Sequence, residues 1–191
     1  KEQSRKKFSV SMQHYTFAVK AFVEMVKQFG MDEYEFAVHE TKTYEVIEDV
    51  RNFKSEIGIL YLNDFNRKVL TKLFAESNLE FRPIQDCGIY VYLWRDHPLA
   101  KKKEIALEEL EEYPCLSFDQ GTNNSFYFAE EVLSTYQYKR LVRANDRDRN
   151  RSRPGKSQQL RLWYLYEKRA PHQRTPGNPV GYVALLCGLS F

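Results

Sequence analysis

Glu56-Ile57-Gly58-Ile59-Leu60-Tyr61-Leu62 is a short, nearly continuous apolar run. Such a run marks a strand covered on both faces, as a central strand of a parallel sheet is. Just before it, Thr43 can cap a helix over residues 44–54, with Val46 or Ile47, Val50 and Phe53 turned inward. Further back, Tyr34-Glu35-Phe36-Ala37-Val38 reads as a strand. Thr16 to Phe29 carries Ala18, Phe22, Met25, Val26 and Phe29 at helical spacing, and Gly30 stands where a helix stops. Phe8-Ser9-Val10-Ser11-Met12 alternates apolar and polar with a strand's period of two. Residues 8–62 therefore read strand, helix, strand, helix, strand, the pattern of a parallel sheet with covering helices.

Toward the C-terminus, Val69, Leu70, Leu73 and Phe74 predict a helix over 67–78, and Leu79 to Ile84 reads as extended. Gly88-Ile89-Tyr90-Val91-Tyr92-Leu93-Trp94 is a strand of aromatic and β-branched residues, ended by Pro98. Ile105 to Leu110 is a short helix and Cys115-Leu116-Ser117-Phe118 the next strand. Thr122 to Ser125 offers caps for a helix over 125–137, and Leu141-Val142-Arg143 begins another extended segment. A second strand–helix series starts near residue 85. Two small α/β units, 8–84 and 85–147, fit this order better than one large sheet.

The 191 residues are 42% hydrophobic and 29% charged, a globular composition. No stretch approaches the apolar length of a membrane-spanning helix, and Lys1 to Lys7 is not a secretory signal, so the chain reads as cytoplasmic. Cys87, Cys115 and Cys187 lie far apart with no CxxC spacing. That argues against a disulfide framework or a zinc site and suits a reducing compartment. Charge is uneven. Residues 1–140 hold 19 Lys and Arg against 23 Asp and Glu, whereas residues 141–191 hold 10 against 3. The main body would repel nucleic acid, and only the end of the chain could form a basic patch.

His14, His39 and His97 lack partners at metal-motif spacing, and no GxSxG elbow, Walker loop or GxGxxG is present. No catalytic set, metal site or cofactor is read, and the expectation is a protein that is not an enzyme. Position carries more than motif. Ligands of open α/β sheets bind beyond the carboxyl ends of strands, where helix N-termini point N–H groups at them. Ser11-Met12-Gln13 follows the first strand, Asn63-Asp64 the third, and Thr122-Asn123 precedes the helix of the second unit. Ser11, Met12, Gln13, Asn63, Asp64, Thr122 and Asn123 are thus the candidate ligand-binding residues. Helix capping accounts for any one of them equally well; three such segments together favour a cleft.

Arg95-Asp96-His97-Pro98-Leu99-Ala100, followed by Ile105-Ala106-Leu107-Glu108-Glu109-Leu110, resembles the HPLA segment and next helix of the effector-binding domain of LysR-type transcriptional regulators. Glu56 to Leu60 resembles the strand closing that family's first βαβαβ unit, and Ser11 stands where the family has a polar residue opening the first helix. The resemblance spans residues 8–146. It implies two Rossmann-like subdomains of the type 2 periplasmic-binding-protein kind around an effector cleft. It further implies a homodimer or higher oligomer that senses an effector to control transcription; the polarity of the cleft segments and the helix N-termini beside them suggest a small polar or anionic effector. The dimer would pack the helix over 16–29 against the partner's helix over 125–137, through Phe17, Val19 or Val23 and Phe128 or Val132.

Two departures from the family are expected to matter. The winged helix-turn-helix and linker helix that open such regulators are not seen, so residues 1–7 read as a linker remnant and DNA would be bound only through that missing domain. Residues 148–191, with Arg149, Arg151 and Arg153 and with Pro154, Pro171, Pro176 and Pro179, replace the family's returning segments. A shifted reading frame near residue 147 would account for that change, leaving the second subdomain incomplete and this tail outside the fold. A solute-binding protein of a transport system, sharing the fold, is the alternative reading.

Overall fold

The apolar run at residue 57 is β3 (Ile57–Asn63), buried along almost its whole length. In the computed structural model, the described residues are 5–13, 15–29, 34–93, 96–123, 125–129, 140–144, 163–169 and 181–188. The chain divides into two units, Lys1–Asp86 with Gly181–Phe191, and Cys87–Val180.

The first unit is built from β1 (Lys6–Met12), α1 (Thr16–Phe29), β2 (Tyr34–Glu40), α2 (Thr43–Arg51), β3, α3 (Arg67–Glu76) and the start of β4 (Leu79–Leu93). β1 pairs parallel with β2 on one side and β3 on the other, so Val10 lies opposite both Val38 and Ile57. Alternation then separates two faces. Phe8 meets the Phe36 ring edge-on at 6.3 Å between centroids, and Phe22 of α1 meets the same ring at 6.1 Å. Ser9, Ser11 and Gln13 take the opposite side, under α2. Val46, Ile47 and Val50 of α2, Leu60 and Leu62 of β3, and Leu70 and Phe74 of α3 fill the core.

Three details of these helices differ from expectation. Thr43 is the first residue of α2 and Lys42 its N-cap, so the Thr43 hydroxyl is directed elsewhere. Phe53 is not inward but 85% exposed, with a left-handed φ of 56°. The helix ends at Arg51. The Lys54 and Ser55 N–H groups then turn back to the Asp49 carbonyl at 2.8 and 3.1 Å, which throws Phe53 outward. Phe29, at the last turn of α1, is likewise exposed.

The second unit contains the end of β4, α4 (Leu107–Leu110), β5 (Cys115–Phe118), a single 3₁₀ turn (Phe126–Phe128), β6 (Leu141–Ala144) and β7 (Trp163–Arg169). Leu110 and Cys115 form its buried centre, with Val91, Leu93, Leu99, Ile105, Leu107 and Tyr113 packed around them. The His97-Pro98-Leu99-Ala100 segment is a turn held by its own histidine. Its Nδ1 accepts the Leu99 N–H at 3.2 Å, its carbonyl accepts the Ala100 N–H at 2.8 Å, and its ring sits edge-on to Tyr113 at 4.5 Å. At α4, Glu109 pairs with Lys102 and accepts the Ala106 N–H at 3.1 Å; those contacts, Lys102 foremost, hold its carboxyl below the usual carboxylate range. The helix expected from residue 125 does not start there: Ala129, at ψ 138°, closes the 3₁₀ turn, and residues 130–139 lie outside the described residues.

The largest correction concerns the end of the chain. β7 pairs antiparallel with β4 from Cys87↔Arg169 to Leu93↔Trp163 and touches β5 in parallel at Cys115↔Trp163. β8 (Gly181–Gly188) pairs antiparallel with β3 along its full length, Ile57↔Cys187 to Asn63↔Gly181. The expectation that 148–191 stay outside the fold therefore fails for both described segments. Trp163 to Tyr166 and Tyr182 to Cys187 are rich in strand-forming residues. Pro171, Pro176 and Pro179 fall in sequence between β7 and β8 and lie outside the described residues. β8 thus completes the first unit's strand order β2-β1-β3-β8-β4, and β7 the second's order β4-β7-β5-β6.

Candidate functional site

The end of β1 gathers side chains from three elements. The Gln13 N–H reaches the Ile59 carbonyl at 3.4 Å, and the Thr41 N–H reaches the Met12 carbonyl at 2.9 Å, which brings the entry to α2 beside the strand end. Here α1 begins, its first turn closed by Ala18 and Val19 N–H groups on the Tyr15 carbonyl, each at 3.1 Å. The Gln13 carboxamide lies between the two helix starts. Its Nε2 donates to Thr43 Oγ1, and its Oε1 accepts the Tyr15 hydroxyl. All three side chains are buried. The Thr41 hydroxyl donates to Glu45 in the first turn of α2.

Ser11 lies one strand repeat deeper and is fully buried. Its hydroxyl donates to Asp49 Oδ2 at 2.6 Å, which leaves its lone pairs for the Ser55 hydroxyl at 2.7 Å; a serine has one proton, so Ser55 is the donor there. Asp49 Oδ1 meets Lys54 Nζ at 3.0 Å. This network ties the far end of α2 to β1. Met12 points to the opposite face and is a core side chain.

The other candidates sit differently. Asn63 and Asn66 hydrogen-bond each other reciprocally, N–H to Oδ1 at 2.8 and 2.9 Å, and Asn66 Nδ2 also reaches the Tyr61 carbonyl at 3.3 Å. This is a closed turn that starts α3. Asp64 stands 91% exposed beside Arg67 at 3.3 Å. In the second unit, Asp119 Oδ1 accepts the Gly121 N–H at 3.0 Å, and Gly121 takes φ 69°, which a side chain would oppose. Beyond this turn Thr122 is exposed and Asn123 half-buried, followed by Phe126 at 67% exposure. His14 and Asn124 lie outside the described residues.

The structure thus brings Gln13 together with Tyr15 and Thr43, and Ser11 with Asp49 and Ser55. It keeps Asn63 and Asp64 in a turn of their own. Thr43, Asp49 and Ser55 were missing from the candidates. One signal pointed to them: alternating polar residues on a buried strand require partners, and α2 is the element that covers that face. Among the described residues no group of three or more His, Cys, Asp or Glu is placed to hold a metal, and no helix is long and apolar enough to cross a membrane.

Residues 15–146 match the LysR substrate binding domain family. Among solved structures, the reduced OxyR regulatory domain from Pseudomonas aeruginosa aligns with a TM-score of 0.66 at 16% identity, covering 99% of this chain and 92% of that one. The cofactor-binding domain of the Cbl transcriptional regulator aligns at 0.61 with 16% identity, covering 97% and 81%. A full-length OxyR variant from Pseudomonas aeruginosa aligns at 0.66 with 16% identity over 98% of this chain but 61% of its own length. At such identities the likeness is one of fold. No curated protein matches the chain.

Proposed function

Since the chain belongs to the LysR substrate binding domain family and is an effector-sensing domain of a LysR-type regulator, we propose that its effector is a small polar or anionic molecule bound at the end of β1. The observation that carries this reading is the Gln13 carboxamide, buried between Tyr15 and Thr43 where α1 and α2 begin. Helix starts favour polar and anionic groups, because their first N–H groups have no intrahelical acceptor. Ser11 and Met12 support this wall from within.

Effector binding shifts the population of conformers, and the shift passes to DNA through a helix-turn-helix module of the regulator rather than through this domain. The domain works in the cytoplasm as a homodimer or higher oligomer, without a cofactor and without catalysis of its own. Val23 on α1 is exposed and Phe17 and Val19 are half-buried, which supports α1 as a subunit contact; Val132 lies outside the described residues. Family membership favours this regulator over a solute-binding protein of a transport system.

Screening small polar and anionic metabolites for a saturable rise in melting temperature tests the reading. A hit that fails to bind after Tyr15→Phe and Thr43→Ala are combined supports it. Hits that bind that double variant unchanged place the effector elsewhere and contradict it.

A further inference from the structure

We propose that the Gln13 side chain is a tethered occupant of the effector site, filling the place of a carboxamide-bearing ligand between the Tyr15 and Thr43 hydroxyls. The inference rests on the preceding reading that effector binds at the end of β1, and it names the chemistry of the group bound there.

A glutamine side chain is rarely as buried as this one, which is 3% exposed. Its carboxamide is a planar group with an acceptor and a donor on one carbon. Each end has its own hydroxyl: Oε1 accepts from Tyr15, at the start of α1, and Nε2 donates to Thr43, the first residue of α2. The site is therefore complementary to a carboxamide. A carboxylate in the same place would need the Thr43 hydroxyl turned to donate and would bring a charge into a buried setting, which disfavours it.

The comparison with Ser11 shows why Gln13 can leave its place and Ser11 cannot. Ser11 is bonded to the charged Asp49, which is also bound by Lys54, and its short side chain has no other reach. Gln13 is held by two neutral hydrogen bonds, and its long side chain rotates while the backbone N–H remains on Ile59. An arriving carboxamide repeats both bonds and displaces the tethered one. The occupant so keeps the empty site from filling with water and weakens every ligand by the fraction of time it is seated. For two neutral bonds that weakening is roughly tenfold.

The test uses acetamide, which reproduces the atoms removed from the side chain by Gln13→Ala. Melting of the full chain is followed against acetamide, with acetate as the charged control and Gln13→Leu as the variant that keeps the volume without the bonds. The expected result is a saturable, millimolar stabilisation of Gln13→Ala by acetamide. Wild type should respond only at about tenfold higher acetamide and Gln13→Leu should not respond, acetate should not substitute, and a further Tyr15→Phe change should weaken the rescue about tenfold. No response of Gln13→Ala, an equal response of wild type, or equal rescue by acetate overturns the proposal. Should Gln13→Ala not fold, the Gln13 side-chain amide protons of wild type decide. Slow exchange with solvent supports seating, and exchange at the rate of a free amide overturns it. The two readings fail separately. An effector that protects residues 13–19 and 41–47 yet binds Gln13→Ala no tighter than wild type overturns the tethered occupant alone. An effector that protects neither segment overturns the site.

Discussion

The ends of β1 and β3 occupy equivalent places in the first unit, each a parallel strand running out toward a helix start, and each carries uncharged polar side chains. They use them differently. At β3, Asn63 and Asn66 satisfy one another across three residues, so the side-chain bonds that close the turn are local. At β1, Gln13 reaches Thr43 thirty residues on, and Ser11 reaches Asp49 and Ser55 thirty-eight and forty-four residues on. A turn that closes on itself can start a helix and little else. A cluster drawn from a strand, a helix and a loop exists only once those elements are docked, so anything that disturbs it is felt by all three. That difference favours the end of β1 over the end of β3 as the proposed sensing position, and makes the end of β3 a capping turn.

The largest expected effect lies in the β1 cluster. Asp49→Ala removes the acceptor shared by the buried Ser11 hydroxyl and by Lys54, and with it the anchor of the Ser11–Ser55 pair, and should cost about 2–4 kcal/mol in urea denaturation. Asp49→Asn, which keeps an acceptor oxygen, should cost less than the alanine. A loss under about 1 kcal/mol for Asp49→Ala would erase the contrast between the two junctions. Next comes the β3 turn: Asn66→Ala should cost about 1–2 kcal/mol. In double-mutant cycles it should couple to Asn63→Ala but add independently to Asp49→Ala, since the two junctions share no partner. Phe53→Gly, just beyond the network, should instead raise stability by about 0.5–1 kcal/mol. It removes a left-handed φ from a β-carbon-bearing residue and forfeits little packing. The smallest effect is Asp64→Ala, within about 0.5 kcal/mol, because its ion pair with Arg67 is exposed.

The same contrast explains what could be read along the chain. Periodicity and local stops place α1 at Thr16–Phe29 and β5 at Cys115–Phe118, and the apolar run at 57–62 marks the central strand. The His-Pro-Leu-Ala turn is local too, its histidine bonding two residues ahead. Features set by distant partners were harder. Thr43 reads as a cap from its neighbours, and only the position of Gln13 shows its hydroxyl to be engaged across the strand. Phe53 fits the helical repeat by spacing, but the return of the chain to the Asp49 carbonyl ends the repeat before it. The prolines and arginines after residue 147 suggested a tail apart from the fold. Yet Tyr182 to Cys187 finds the open edge of β3, more than a hundred residues earlier, and pairs along it.

Hydrogen exchange of the full chain, with and without an effector found by screening, tests the central claim most directly. Binding at the end of β1 predicts slowed exchange in peptides covering 13–19 and 41–47, where α1 and α2 begin, with residues 63–67 far less affected. Protection confined to 63–67, or absent from both helix starts while the effector is bound at saturation, would contradict it.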